Sequence, residues 1–373
     1  MSLSSTSTVP GRGSTRVATA VAVAVAVLVP LAVLFAQVWS STSEARSFTA
    51  DERRGVAYLE PLTRLLSATT EAQSAAVRGR PVDAASVRAA VTAVDQADAR
   101  LGRQLRTTDR WIDVRQLVQQ RLTVRTWTPP TAYTQYSDVN TKLLELTRTV
   151  GDNSRLVLDP EIDAYYVMNA SLLRIPEILV DSGRYTDLSV LFPNGGGAAT
   201  RAQLAAARNR IAADETDLSG GLLKAFAQTD SSTLGPGLTR PLDDFRTAVD
   251  TVAPSASLLA PAPERSVTDL VANQDTLQKA TLGLQDASLQ QLDDLLADRA
   301  SGQTRTRIVA VVAAVVGIVV AAVLARLAWR WAPVRPRRRA VDPDDDEPAA
   351  HRSANGTRVP VHAERSGGAR AAR

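Results

Sequence analysis

The sequence predicts an all-α protein: an elongated extracytoplasmic helical bundle between two transmembrane helices. Three observations carry that expectation. Strand signals are nearly absent, with no Asn-Gly hairpin between alternating apolar runs. Apolar residues recur at helical spacing along most of the chain. Two long uncharged apolar runs frame a segment of about 265 residues, ample for a buried core.

The first run, Val17 to Val38, has Gln37 as its strongly polar member. Its length of about 22 residues gives roughly 33 Å of helix, enough to cross a hydrocarbon core. Pro30 is tolerable in such a helix. Arg12 and Arg16 precede the run, and no Ala-x-Ala cleavage pattern follows it at once, so it reads as an uncleaved anchor. The second run, Ile308 to Ala325, is bracketed by Arg307 and Arg326. Trp329 and Trp331 suit an interfacial aromatic belt, and Arg335, Arg337, Arg338 and Arg339 complete a stop-transfer pattern. The positive-inside rule puts both termini in the cytoplasm. The expected organisation is therefore a cytoplasmic N-terminus (1–16), transmembrane helix 1 (17–39), an extracytoplasmic domain (40–305), transmembrane helix 2 (306–331) and a disordered cytoplasmic tail (332–373) in the plasma membrane. The tail carries Asp342, Asp344, Asp345, Asp346 and Glu347 among Pro, Ala, Arg and Gly, a composition that buries no core.

Within the domain, Val56, Leu59, Leu62 (or Thr63) and Leu66 continue the first span as a helix that ends at Gly79-Arg80-Pro81. Ala84 to Leu105 reads as a second helix. Asp109 is a candidate cap for a third, bearing Trp111, Val114, Leu117, Val118 and Leu122. Pro129-Pro130 breaks the chain before a helix from Tyr133 to about Leu156, where Tyr136, Val139, Leu143, Leu146 and Val150 form a coiled-coil-like seam. Asp159-Pro160-Glu161 reads as a helix start, with a cap, a proline at the first position and an acid near the positive dipole end. After the loop around Pro193 to Gly197, helices are expected at Thr200 to Phe226, about Thr239 to Val252, and Glu264 to Thr304. The last carries a seam of Leu282, Gln285, Leu289, Leu292 and Leu296. More than four long helices result, so the domain is either two stacked bundle modules or one bundle with inserted helices.

Composition removes several function classes. There is no Cys, hence no disulfide framework, zinc ribbon or thiol nucleophile. Both histidines, His351 and His362, fall in the tail, so the bundle holds no His-based triad. A net charge of +4 gives little support to nucleic-acid binding. Adjacent acid pairs such as Asp243-Asp244 and Asp293-Asp294 do not face each other on a helix and make poor acid–base dyads. No enzyme, cofactor or metal site is expected.

Two blocks carry a family resemblance. Glu52-Arg53-Arg54-Gly55-Val56-Ala57-Tyr58-Leu59-Glu60-Pro61-Leu62 follows the first span, and Val150-Gly151-Asp152-Asn153-Ser154-Arg155-Leu156-Val157-Leu158-Asp159-Pro160-Glu161-Ile162-Asp163-Ala164-Tyr165-Tyr166 leads to Leu173-Arg174-Ile175-Pro176-Glu177. Together they resemble the extracytoplasmic helical sensor region of bacterial chemoreceptors, histidine kinases and diguanylate cyclases. The resemblance implies sensing between two membrane spans. Nothing after Trp331 resembles those families' output domains, so output is expected from a separate partner chain.

The densest polar and aromatic cluster supplies the candidate ligand-binding residues: Asn153, Arg155, Tyr166, Asn169 and Arg174. Arg174 suits a carboxylate and Asn169 a hydrogen-bonding ligand. Pro176 frees a carbonyl near residue 172 and invites a bend there. The expected function is a membrane-anchored sensor that perceives a small-molecule or protein signal and passes it through transmembrane helix 2, with a homodimer as one arrangement. The alternative is a structural or accessory envelope protein that uses the bundle as an interaction scaffold.

Overall fold

The structure, a computed structural model, describes residues 14–194, 196–254 and 266–331. The expected tail with its Arg and Asp runs, residues 1–13 and most of the Pro254–Pro263 linker lie outside the described residues. Helices α1 (Ser14–Val77), α2 (Ala84–Leu105), α3 (Thr108–Thr123), α4 (Pro129–Asn153), α5 (Ile162–Asn169), α6 (Ile175–Leu191), α7 (Ala198–Gln228), α8 (Leu234–Val252) and α9 (Val267–Trp331) make up the fold, and no strand occurs among the described residues.

Two helices set the dimensions. α1 has 64 residues and α9 has 65, each roughly 95 Å long at the α-helical rise. They run antiparallel along each other in one register. Thr42 meets Arg307, Thr49 meets Gln303, Thr63 meets Gln285, Ser67 meets Gln278 and Ser74 meets Gln274. Around this pair the other helices close two rings set side by side. α1, α2, α3 and α4 form one four-helix ring; α5–α6, α7, α8 and α9 form the other; α1 against α9 and α6, with α4 against α6, joins them. The modules are thus packed laterally rather than end to end. Each ring buries its own leucine, valine and aromatic stripe, including Tyr58, Leu62 and Tyr136 in the first and Ile178, Leu222 and Phe245 in the second.

Beyond the bundle, α1 and α9 continue as apolar helices long enough to cross a membrane. Within their most apolar windows, 0% and 6% of residues are buried, so these segments are not core helices of the bundle. They touch where Leu31 lies against Gly317; a Cβ on residue 317 would collide with that side chain. At the start of the bundle the Arg307 guanidinium stacks 4.6 Å from the Trp39 ring centre and donates hydrogen bonds to Thr42 and Ser43.

Several sequence expectations need correction. Thr107, not Asp109, occupies the cap position of α3, and Asp109 sits in its first turn. Pro129 and Pro130 open α4 rather than preceding it, since the first turn needs no amide from them. Asp159 does not cap α5: Glu161 holds that position, and the Asp159 carboxylate turns inward. On α9, Gln285, Leu289, Leu292 and Leu296 of the expected seam are buried but Leu282 is only half-buried, and Gln274, Gln278 and Gln285 bond to α1, with Thr281 and Ser288 buried at the same helical spacing. The seam between the two longest helices therefore has a polar stretch from Gln274 to Ser288.

Candidate functional site

The two sequence blocks meet in space. α4 ends at Asn153, and the chain turns through Ser154 and Arg155, which adopts a left-handed conformation with φ 64°. A short 3-10 turn, Leu156–Leu158, follows. This corner docks on α1 at Gly55, where a Cβ would lie 2.6 Å from the Ser154 Cβ and 2.7 Å from the Leu156 Cδ1. The glycine of the first block is thus the landing site of the second.

Next in the chain, Asp159 drops into the groove between α1 and α9. Its Oδ1 accepts the Glu161 amide at 2.9 Å, which shapes the corner. Both its oxygens accept from Arg299 Nη1 on α9, at 2.9 and 2.8 Å. Arg299 Nε lies 2.8 Å from Glu161. A third acid, Glu52 of α1, is fully buried against this group. Neither Glu52 oxygen receives a hydrogen bond, and the register that sets Thr49 against Gln303 and Gly55 against Leu156 turns its carboxyl toward Asp159 and Arg299. Two carboxylate oxygens can bond only if one carries a proton. Burial first, then the Asp159 charge, push the Glu52 carboxyl up to about 8, against a smaller opposing pull from Arg299.

The second feature is the polar seam. Gln278 donates to the Ser67 hydroxyl at 2.8 Å and to Glu71 at 2.9 Å. Toward the far end of the bundle, buried Asp187 of α6 accepts from Gln73 at 3.0 Å and Ser74 at 3.1 Å, with Arg78 4.0 Å away. Burial raises the Asp187 carboxyl to about 6 despite these donors. Buried Asn140 donates to Gln73 at 3.2 Å and accepts from Thr69 at 2.6 Å, tying α4 into the same network.

A π-helical turn, Ala170–Arg174, joins α5 to α6. Its cause is Pro176. The Ile175 amide reaches back to the Ala170 carbonyl, five residues earlier, and proline cannot supply the next amide in that register. In that register the carbonyl facing residue 176 is that of Ser171, and Gln285 Nε2 of α9 donates to it at 2.9 Å. The expected proline-induced irregularity is present, and the carbonyl that Gln285 reaches, that of Ser171, adjoins residue 172.

The five residues singled out in the sequence fall in two places. Asn153 donates to the Leu105 carbonyl at 2.7 Å, tying the corner to the foot of α2. Arg155 is exposed, 3.9 Å from Asp51 and 5.8 Å above the Phe48 ring. Tyr166 packs edge-on against Tyr165, beneath Lys224 and against Gly221 of α7. Asn169 is half-buried at the entry to the π turn. Arg174 is engaged by Asp214 at 2.7 Å, Asp217 at 3.2 Å and Glu177 at 3.6 Å. The structure does not gather the five into one pocket. Two larger clefts flank the α1–α9 pair. One, of about 820 Å³, is lined by Arg53, Arg64, Asp286 and Asp293, whose charges pair across it. The other, of about 600 Å³, has Ser74, Arg78, Gln274 and Gln278 among its lining. Among the described residues, no cluster of three or more His, Cys, Asp or Glu side chains is arranged to hold a metal ion.

Sequence reasoning missed Arg299, Asp187 and, apart from Gln285, the Gln274–Gln278–Thr281–Gln285–Ser288 stripe. The stripe had a signal: its spacing is that of a coiled-coil seam, with polar residues where leucine is usual. Arg299 had none, because a lone arginine on a helix is most often surface.

No known sequence family matches this chain, and no curated protein is similar to it in sequence. A solved structure described as that of the NasR transcription antiterminator aligns over 82% of this chain and 84% of its own, at 15% identity and a TM-score of 0.46. A likeness at that level carries no argument here.

Proposed function

We propose that the protein is a two-pass membrane receptor whose helical bundle lies outside the cell. In this reading α9 carries a change in the bundle through the membrane to a separate output partner. The single observation behind it is the continuity of α1 and α9, unbroken from the apolar segments through the whole bundle. Their shared seam supports the same reading. A seam of Gln, Thr and Ser exchanges one set of hydrogen bonds for another at lower cost than interlocked leucines repack. The blocks resembling chemoreceptor sensor regions brace that seam at Gly55 and Arg299, where a shift of the corner would bear on both helices.

The absence of native cysteine makes the test direct. Thr49→Cys and Gln303→Cys place a pair across α1 and α9 near the membrane, where the native side chains are 3.3 Å apart. Disulfide formation is followed in native membranes against a panel of small organic acids, amino acids and inorganic anions, and across pH. A receptor changes its cross-linking rate with at least one of these, and Gln278→Leu blunts the change. A constant rate under every condition sinks the receptor reading in favour of a static scaffold.

A further inference from the structure

We propose that the Glu52–Asp159 carboxyl pair is a proton-binding site, holding one shared proton that keeps the corner docked between α1 and α9. The charges around Glu52 lead to this. Asp159 faces it from the corner, Glu161 from the start of α5 and Arg299 from α9. Its neighbours on α1 are spent elsewhere: Asp51 pairs with Arg54 and faces Arg155, and Arg53 pairs with Asp293. Three acids thus share one guanidinium that pairs with only two of them, Asp159 and Glu161. Arg299 already gives one nitrogen to both Asp159 oxygens and lies against Glu161, while both Glu52 oxygens stay buried without a donor. An ionised carboxylate has no means of staying there: it is desolvated, unbonded and beside a like charge. A protonated Glu52 donates to Asp159, removes the repulsion and leaves Asp159 and Arg299 as a compensated pair.

Losing that proton to solvent leaves two carboxylates sharing a dry groove, and the corner is the part able to yield. It is a loop and a single 3-10 turn between α4 and α5, while Glu52 and Arg299 are held by the two longest helices. Release thus frees α1 and α9 from the tie joining them to the corner. If the receptor reading holds, the proton is a stimulus the bundle receives; the proton site itself stands or falls without it.

The test uses the full chain in detergent micelles or lipid nanodiscs. Infrared difference spectra at neutral pH should contain the carbonyl band of a protonated buried carboxylic acid that vanishes with a midpoint near pH 8. That band should be missing in Glu52→Gln. Thermal unfolding gives the second reading. A raised carboxyl pKa stabilises the folded state most at low pH, and that stability falls while the unfolded chain is ionised and the folded one is not. Between about pH 6 and pH 8 the wild type should lose several degrees in Tm relative to Glu52→Gln. This window lies above the titration of Asp187, which both proteins share. Equal pH slopes in the two proteins, or no titrating acid band in the wild type, overturn the proposal. The infrared reading on the wild type decides the matter even if Glu52→Gln fails to fold. A titrating site with cross-linking between residues 49 and 303 unmoved by pH upholds the proton site and removes the proton as a stimulus.

Discussion

Arg299, on the helix that leaves the bundle for the C-terminal apolar segment, grips both carboxylate oxygens of Asp159 with one nitrogen, at 2.9 and 2.8 Å. The pair links a loop corner to a helix 140 residues further along the chain. Removing the cation leaves the buried Asp159 carboxylate without its counter-charge beside Glu52. Arg299→Ala should therefore cost about 3–5 kcal/mol in chemical denaturation, the range for breaking one partner of a buried ion pair. Arg299→Ala combined with Asp159→Asn should recover part of that loss. A loss near zero, or no recovery, would contradict the arrangement.

Asp187 makes a separate pH prediction. Its folded value near 6 exceeds the ordinary carboxylate value because burial outweighs its two donors and Arg78. The folded state thus holds a proton that the unfolded chain has released. Stability from this group is complete at low pH and is lost as pH climbs from about 4 to about 6. Asp187→Asn should flatten that part of the stability curve. Denaturation midpoints measured at half-unit pH steps check it, and an unchanged slope would count against the assignment.

The Ser171 carbonyl links Pro176 to Gln285 in a way a mutant cycle can isolate. Gln285→Leu leaves the carbonyl without a partner, which should cost about 1–3 kcal/mol. Pro176→Ala restores an amide at the residue that lacks one. In that background Gln285→Leu should cost markedly less, and the coupling energy should approach the single-mutant loss. Additive losses would mean that the π turn does not depend on the proline.

Gly55 is required by space rather than by φ. Any side chain there meets Ser154 and Leu156, so Gly55→Ala should destabilise by about 1–3 kcal/mol through overpacking. Ser154→Gly removes the nearer obstacle and should relieve part of the loss in the double mutant. Gly79, by contrast, has φ 66° and open space around its Cβ position, so its glycine serves the turn after α1.

These residues mark how far the sequence could be read. The long helices were legible from their apolar periodicity, and α2 falls at its expected limits, Ala84–Leu105, because Asp83 caps its first turn and Arg106 closes its last in the left-handed region. The two apolar runs were legible from length and lack of charge. The contact between the Gly55 and Asp159 blocks was not, because they lie about a hundred residues apart and meet only after α2, α3 and α4 have folded. Asp159-Pro160-Glu161 misled for a similar reason: the local cap pattern was satisfied, but a long-range arginine competed for the carboxylate and won. Arg174 suits a carboxylate, as its sequence setting suggests, but the carboxylates it meets are Asp214 and Asp217 of α7, some forty residues later and outside its local pattern.

The most direct test of the account is topology in intact cells. Single cysteines are placed at Ser231, between α7 and α8, and at Ser353, beyond α9, and treated with a membrane-impermeant thiol reagent. The account predicts labelling at 231 from outside and at 353 only after the membrane is opened. Labelling of both from outside, or of 353 alone, would contradict a bundle held outside the cell between two spans.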